Sequence, residues 1–287
     1  MLWRNFFKNL GLEVVVSPPT NKQILEWGLT TCVDGACLAI KSYVGHAQAL
    51  VRQGTRLLFV PQIISVSKKE YTCPNFLGLP DLLKQYVPRS VELLSPTLDA
   101  RKSKVALNCS YLGFGLQFAS INTVRRAWKM AVEAQHAWEQ SLHKHLPAED
   151  LLQILVLGPR YLTDDPFLNG NLRGHLANLG AQVYSASQVP DDLSLELSKS
   201  MDKRLFWSGT RQSMGALEHF IHQLDGVINV APFGCGAESL VGVLISRRAR
   251  EHQIAMLDLT IDEHTSEVGM VTRLEAFCDL LERKKSG

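Results

Sequence analysis

The sequence predicts an α/β protein with two parallel-sheet domains, and three observations carry that expectation. Short apolar, β-branched runs alternate with stretches of helical periodicity. The alternation breaks off and restarts near Leu151, and a stretch without Gly or Pro separates the two halves. Strands separated by helices have to lie parallel, with the helices packed on the sheet faces.

The elements follow in chain order. Leu12 to Ser17 is apolar and β-branched and is closed by Pro18-Pro19, so it reads as a buried strand. Thr20 or Asn21 can cap a helix running from Lys22 towards Leu29. A helical stretch from Cys37 to Gln53 leads to a strand over Arg56 to Pro61, and Thr123 to His145 reads as one long helix. The second half opens with a strand over Leu151 to Gly158, then a helix near Asn169 to Leu179 and a strand at Gln182 to Tyr184. Further strands are expected at Gly226 to Val230 and Ile254 to Leu259, with a helix from Glu238 to Arg248 between them and a closing helix from Arg273 to Glu282. The expected division is an N-terminal α/β domain over 1–122, a connecting helix over 123–149 and a C-terminal α/β domain over 150–287.

Composition narrows the function classes. The 287 residues are 46% apolar and 20% charged, a globular balance that excludes a fibrous or disordered chain. With 30 basic against 28 acidic side chains the formal charge is +2, so no strong field advertises nucleic acid or an anionic membrane as a partner. No apolar run approaches the roughly 20 residues of a spanning helix. Met1 to Leu10 lacks the apolar stretch and cleavage site of a secretory signal, which points to the cytoplasm.

The 6 cysteines, at positions 32, 37, 73, 109, 235 and 278, are too scattered for a disulfide framework. Three stand in loops of one kind. Cys235 lies between Gly234 and Gly236 directly before a helix, where glycines admit a bulky group and amide donors favour a thiolate. A metal cluster, a nucleophilic thiol and a plain packed turn all fit that loop. Cys73-Pro74 has the proline step found beside iron-sulfur clusters and in ordinary turns. Cys37 opens a helix that carries Lys41 and, nine positions on, His46; these two could stabilise a cluster's negative charge or simply line a solvated helix face. Cys32, Cys109 and Cys278 read as packing residues. Asp262-Glu263-His264 reads as a capping or domain-contact segment in preference to an acid-base or metal site, because adjacent side chains splay apart.

Ser17-Pro18-Pro19-Thr20, Ala36 to Lys41 with Gly45-His46, Cys73-Pro74 with Gly78 to Asp81, Phe233 to Gly236 and Leu259 to Thr265 together resemble the acyl-CoA dehydratase activase-related proteins. That family is similar to the iron-sulfur subunits of 2-hydroxyacyl-CoA dehydratases and to double-cubane cluster proteins. The resemblance implies two flavodoxin-like or Rossmann-like domains with a cluster site in the cleft between them. It further implies Cys37, Cys73 and Cys235 as ligands of a 4Fe-4S cubane, alone or fused into a double cubane, with Lys41, His46, Gly234 and Gly236 around it. The family's first strand precedes the aromatic helix that Trp3 to Phe7 resembles, so that strand is expected to be missing from the first domain. Leu38-Ala39, Gly35 and Ala237-Glu238 depart from the family pattern, while the three thiols are kept. The implied activity is low-potential electron transfer or reduction, or dehydratase-like chemistry, on a small or acyl-CoA substrate, with homodimerisation. No Gly-x-x-x-x-Gly-Lys-Ser/Thr loop is present, so electrons would come from a separate ATP-dependent activase with its own cluster. The alternative is a non-catalytic binding or regulatory module that keeps the fold.

Overall fold

The computed structural model describes residues 1–101, 103–143, 150–200 and 205–286. The fold is α/β and divides into two compact units, one comprising Met1–Leu142 with Phe206–Ser208, the other His143–Leu205 with Gly209–Gly287. The expected boundary over Leu146 to Glu149 lies outside the described residues, as does the expected end of the long helix at His145.

Unit 1 contains α1 (Leu2–Asn9), α2 (Lys22–Thr31), α3 (Leu38–Arg52), β1 (Leu57–Phe59), β2 (Gln62–Ser65), α4 (Pro74–Leu77), α5 (Leu79–Tyr86), β3 (Glu92–Leu94), β4 (Thr97–Asp99), α6 (Lys104–Gly115) and α7 (Ile121–Leu142). β1 pairs with β3 and β2 with β4, both in parallel. The two pairs form one ribbon broken at the same level by Pro61 and Pro96, neither of which can donate to a ladder. The Val60 N–H still reaches the Leu94 carbonyl at 2.8 Å and the Gln62 N–H reaches that of Pro96 at 3.0 Å, so the ribbon continues across the break. One apolar cluster packs Ile40, Val44, Ala47 and Leu83 against Leu58 and Val60 of the ribbon. A second, aromatic cluster gathers Phe6 and Phe7 with Phe114 and Val124, and Trp3 joins it with its ring centroid 4.3 Å from that of Phe59.

Asn21, not Thr20, caps α2, its Oδ1 accepting from the Ile24 N–H at 3.1 Å. α2 and α3 cross at two glycines: a Cβ on Gly28 would collide with the Lys41 carbonyl oxygen, and one on Gly45 with that of Ile24. Leu12 to Ser17, expected to be a strand, forms none. A strand exists only where a neighbour supplies its ladder, and a cavity of about 500 Å³ separates this segment from β1. Its far end is held instead by His46, whose ring nitrogens lie 2.9 Å from Ser17 Oγ and 3.0 Å from Thr20 Oγ1.

Unit 2 contains β5 (Leu152–Leu157), α8 (Arg160–Thr163), α9 (Leu172–Asn178), β6 (Ala181–Ser185), α10 (Asp191–Leu197), α11 (Ser208–Phe220, whose first residue groups with unit 1), β7 (Gly226–Pro232), α12 (Gly236–Glu251), β8 (Ala255–Ile261) and α13 (Glu267–Ser286). Its four strands lie parallel in the order β6-β5-β7-β8, which counted along the chain is 2-1-3-4, the flavodoxin-like order. β5 is buried along its whole length, as expected of a strand covered by helices on both faces. Order reverses between β5 and β7, and the loops leaving these strands meet there. Gly158, at φ +141°, lies so close to the Val230 carbonyl that a Cβ would collide with it. Among the described residues, no helix is long and apolar enough to cross a membrane.

The Gly28–Gly45 crossing should tolerate no side chain. Gly45→Ala is expected to cost about 1–3 kcal/mol by overpacking, in spite of the better helix propensity of Ala. Gly35→Ala, which has nothing within 4 Å of its added Cβ, should stay within about 0.5 kcal/mol of wild type. Denaturant unfolding followed by circular dichroism measures both.

Candidate functional site

Cys37, Cys73 and Cys235 each occupy the N-cap of a helix. Cys37 (φ −69°, ψ 157°) precedes α3, Cys73 (φ −57°, ψ 140°) precedes α4 and Cys235 (φ −84°, ψ 106°) precedes α12. All three are partly exposed, and none spends its side chain on a cap hydrogen bond. First-turn amides and the helix dipole favour an anionic group at the start of a long helix such as α3 or α12.

In unit 1 two of the thiols belong to touching loops. Asn75, in the first turn after Cys73, donates from Nδ2 to Cys37 Sγ at 3.6 Å. The Cys73 loop is tied to the ribbon, with the Thr72 N–H on the Ile64 carbonyl at 3.1 Å and the Thr72 hydroxyl on that of Ile63. The Tyr71 N–H also reaches the Phe206 carbonyl at 2.7 Å, and Tyr71 bridges Trp207. Lys41 is buried one turn into α3. His46 stands nine residues from Cys37, about 13 Å along a helix axis, where it fastens Ser17 and Thr20.

In unit 2, Cys235 leaves β7 at the carboxyl end of the sheet, beside the reversal of strand order where open α/β sheets bind ligands. Gly234 takes φ +72°, a left-handed conformation that favours glycine, and Gly236 starts the helix. The Cys235 N–H donates to the Pro232 carbonyl at 3.1 Å. Glu238, in the first turn, is only 7% exposed, and its Oε2 has no hydrogen-bond partner. Burial pushes its carboxyl up to about 7.

The remaining thiols differ from these. Cys32 and Cys278 are buried, and burial pushes both up to about 11, so they stay protonated at neutral pH. The Cys32 thiol also senses Lys41, which lowers its value, and Cys37, which raises it. Cys109, expected to pack, is exposed on α6, because the apolar run before it wraps around a helix and does not face inward as a strand would. Asp262-Glu263-His264 forms a turn, with Asp262 Oδ1 accepting from the His264 N–H and the Thr265 hydroxyl at 2.9 Å each.

Sequence reasoning missed Asn75 and gave Glu238 no role. A Cys-x-x-Glu spacing at a helix start was the available signal, since it copies the capping box with a thiol in place of the hydroxyl. Among the described residues, no three His, Cys, Asp or Glu side chains gather around the position of a single metal ion.

Residues 1–189 match the CoA enzyme activase uncharacterised domain (DUF2229). The chain belongs to this family. The activase-domain match takes in Cys37, Lys41, His46 and Cys73, and ends before Cys235. No curated protein matches the chain.

The six thiols should react in an order set by exposure and burial. At pH 8, mass spectrometry of the alkylated protein should find Cys109 modified early, and Cys32 and Cys278 modified only after unfolding. Folded-state values raised from 9.0 to about 11 mean that these two thiols add stability below pH 9 and lose it as pH rises towards 11. Cys32→Ala and Cys278→Ala should therefore flatten the alkaline decline in denaturant midpoint.

Proposed function

We propose that the chain is an iron-sulfur protein of the 2-hydroxyacyl-CoA dehydratase-like type, acting as a low-potential electron carrier or reductase component. In this reading Cys37, Cys73 and Cys235 are the thiolate ligands of a 4Fe-4S cubane, alone or within a double cubane. The observation that carries it is the shared position of the three thiols, each at a helix N-cap with its sulfur unused by the cap. Membership of a CoA enzyme activase domain family supports a role in activating an enzyme of CoA chemistry.

The residue types present suit such a group. Thiolates are the usual ligands of iron-sulfur clusters, the Cys37 and Cys73 loops touch, and a carboxylate oxygen without a partner lies one turn from Cys235. When bound, the cluster supplies one-electron chemistry at low potential. The chain's own groups set the conditions for it. The α3 and α12 amides and the buried Lys41 offset the negative charge of the thiolates. Asn75 donates to Cys37 Sγ, a hydrogen bond that would raise the reduction potential of a cluster held there. Gly234 and Gly236 keep side-chain bulk away from Cys235. The electron donor is a separate ATP-dependent activase with its own cluster, and the acceptor a small or acyl-CoA substrate; the protein acts in the cytoplasm as a homodimer.

Anaerobically prepared protein should carry about four irons per chain with matching acid-labile sulfide, and show a paramagnetic signal after reduction. Cys235→Ala should lose most of the iron and Cys278→Ala should keep it. Equal iron in the two variants would overturn the ligand assignment. Colourless, folded wild-type protein would favour a binding or regulatory module.

A further inference from the structure

We propose that unit 1 has an open strand position between β1 and Leu12 to Ser17, and that an extended apolar segment of a partner protein fills it. The inference concerns unit 1 alone and stands apart from the iron-sulfur reading.

Four walls define the position. The cavity of about 500 Å³ is lined by Leu12 to Ser17 on one side and by Leu57 to Val60 on another. Tyr43, Ala47 and Leu50 of α3 form a third wall, and Trp3 and Phe7 of α1 a fourth. These helical walls lie on opposite faces of the ribbon, because α3 packs with Leu58 and Val60 while α1 packs with Phe59 and Leu94. A slot between two strand-like edges, covered by a helix on each face, has the surroundings of an inner strand in an α/β sheet.

Both edges have unmet backbone groups. β1 has β3 as its single ladder neighbour. The Val60 N–H donates to the Leu94 carbonyl, and the Arg56 carbonyl accepts from the Glu92 N–H at 2.8 Å. Residues 56, 58 and 60 therefore turn their backbone groups towards β3, and Leu57 and Phe59 turn theirs the other way. Among the described residues, no backbone N–H or carbonyl of Leu57, Phe59, Val14, Val15 or Val16 has a hydrogen-bond partner. The segment facing β1 is fastened at both ends, by the Leu12 N–H on the Phe7 carbonyl at 3.1 Å and by His46 on Ser17. Between those ties Val15 and Val16 are 51% and 58% exposed, although their composition is that of a strand.

The chemistry of the walls selects the occupant. A small apolar molecule would cover the side chains and leave the backbone groups of both edges unmet. An extended peptide carries donors and acceptors on both of its edges, so one segment can serve β1 and Leu12 to Ser17 together. Its side chains would alternate between the α3 wall and the α1 wall, both apolar, which calls for apolar or β-branched residues throughout. The other β-branched runs described in this chain already stand in ladders, so the segment comes from another polypeptide.

The test uses the full chain and a blocked, fluorescently labelled peptide of about five valines and isoleucines, flanked by lysines for solubility. Fluorescence anisotropy should show saturable binding of one peptide per chain. Analogues N-methylated at alternate residues, so that one edge or the other loses its donors, should each bind at least about tenfold more weakly. Decanoate, an apolar probe without a peptide backbone, should not displace the peptide. Leu57→Pro removes an N–H that faces the slot and none that serves β3, so it should weaken binding severalfold with the peptide-free unfolding midpoint unchanged. If that midpoint falls, the N-methylated analogues on the wild-type chain decide. Absence of binding, equal binding of the parent peptide and either analogue, or unchanged affinity in folded Leu57→Pro overturns the inference. Displacement by decanoate also overturns it and assigns the cavity to a small apolar ligand.

Discussion

A cysteine at the start of a helix faces amide N–H groups that no carbonyl inside the helix can satisfy. This constraint governs the candidate site, because Cys37 and Cys235 stand at the heads of the long helices α3 and α12. Parallel strands make the arrangement available. Each β7-to-α12 type of connection turns at the carboxyl end of the sheet, and the helix that follows presents its amide end there. The same topology that buries β5 on both faces therefore creates an anion-favouring edge, and the sequence fills it with a thiol between two glycines.

Unit 1 reaches a comparable arrangement by other means. Its ribbon is short, and much of its core comes from helices and from the aromatic cluster of α1, α6 and α7. The Cys73 loop is fixed by backbone bonds from Thr72 to Ile64 and from Tyr71 to Phe206, and only then does Asn75 reach Cys37. The α2–α3 crossing, closed to within backbone contact by Gly28 and Gly45, sets where α3 begins, and so where Cys37 stands.

Legibility in the sequence followed the source of each element's stability. β5 and β7 were readable because each is an apolar run bounded by turn residues, and burial on two faces demands that composition. Leu12 to Ser17 has the same composition without the neighbour, and composition cannot reveal whether a ladder partner exists. β3 and β4 escaped notice because three residues on either side of Pro96 give no periodicity. The three N-cap thiols were visible as loops of similar chemistry, and Cys37 and Cys235 could be seen opening helices. Asn75 and Glu238 were not, because each matters through what it touches or fails to touch after folding. The hydrogen bonds of His46 to Ser17 and Thr20 were likewise invisible in the sequence, because they join positions 26 and 29 residues apart.

The paired prolines of the unit 1 ribbon have a mechanical consequence. Pro61 and Pro96 remove N–H donors from both strands at one level, so the pairing of Leu57–Phe59 and that of Gln62–Ser65 are joined there only by the Val60 and Gln62 N–H bonds. The junction is therefore the weakest level of the ribbon, and the Cys73 loop hangs from the segment beyond it, through Thr72 on Ile63 and Ile64.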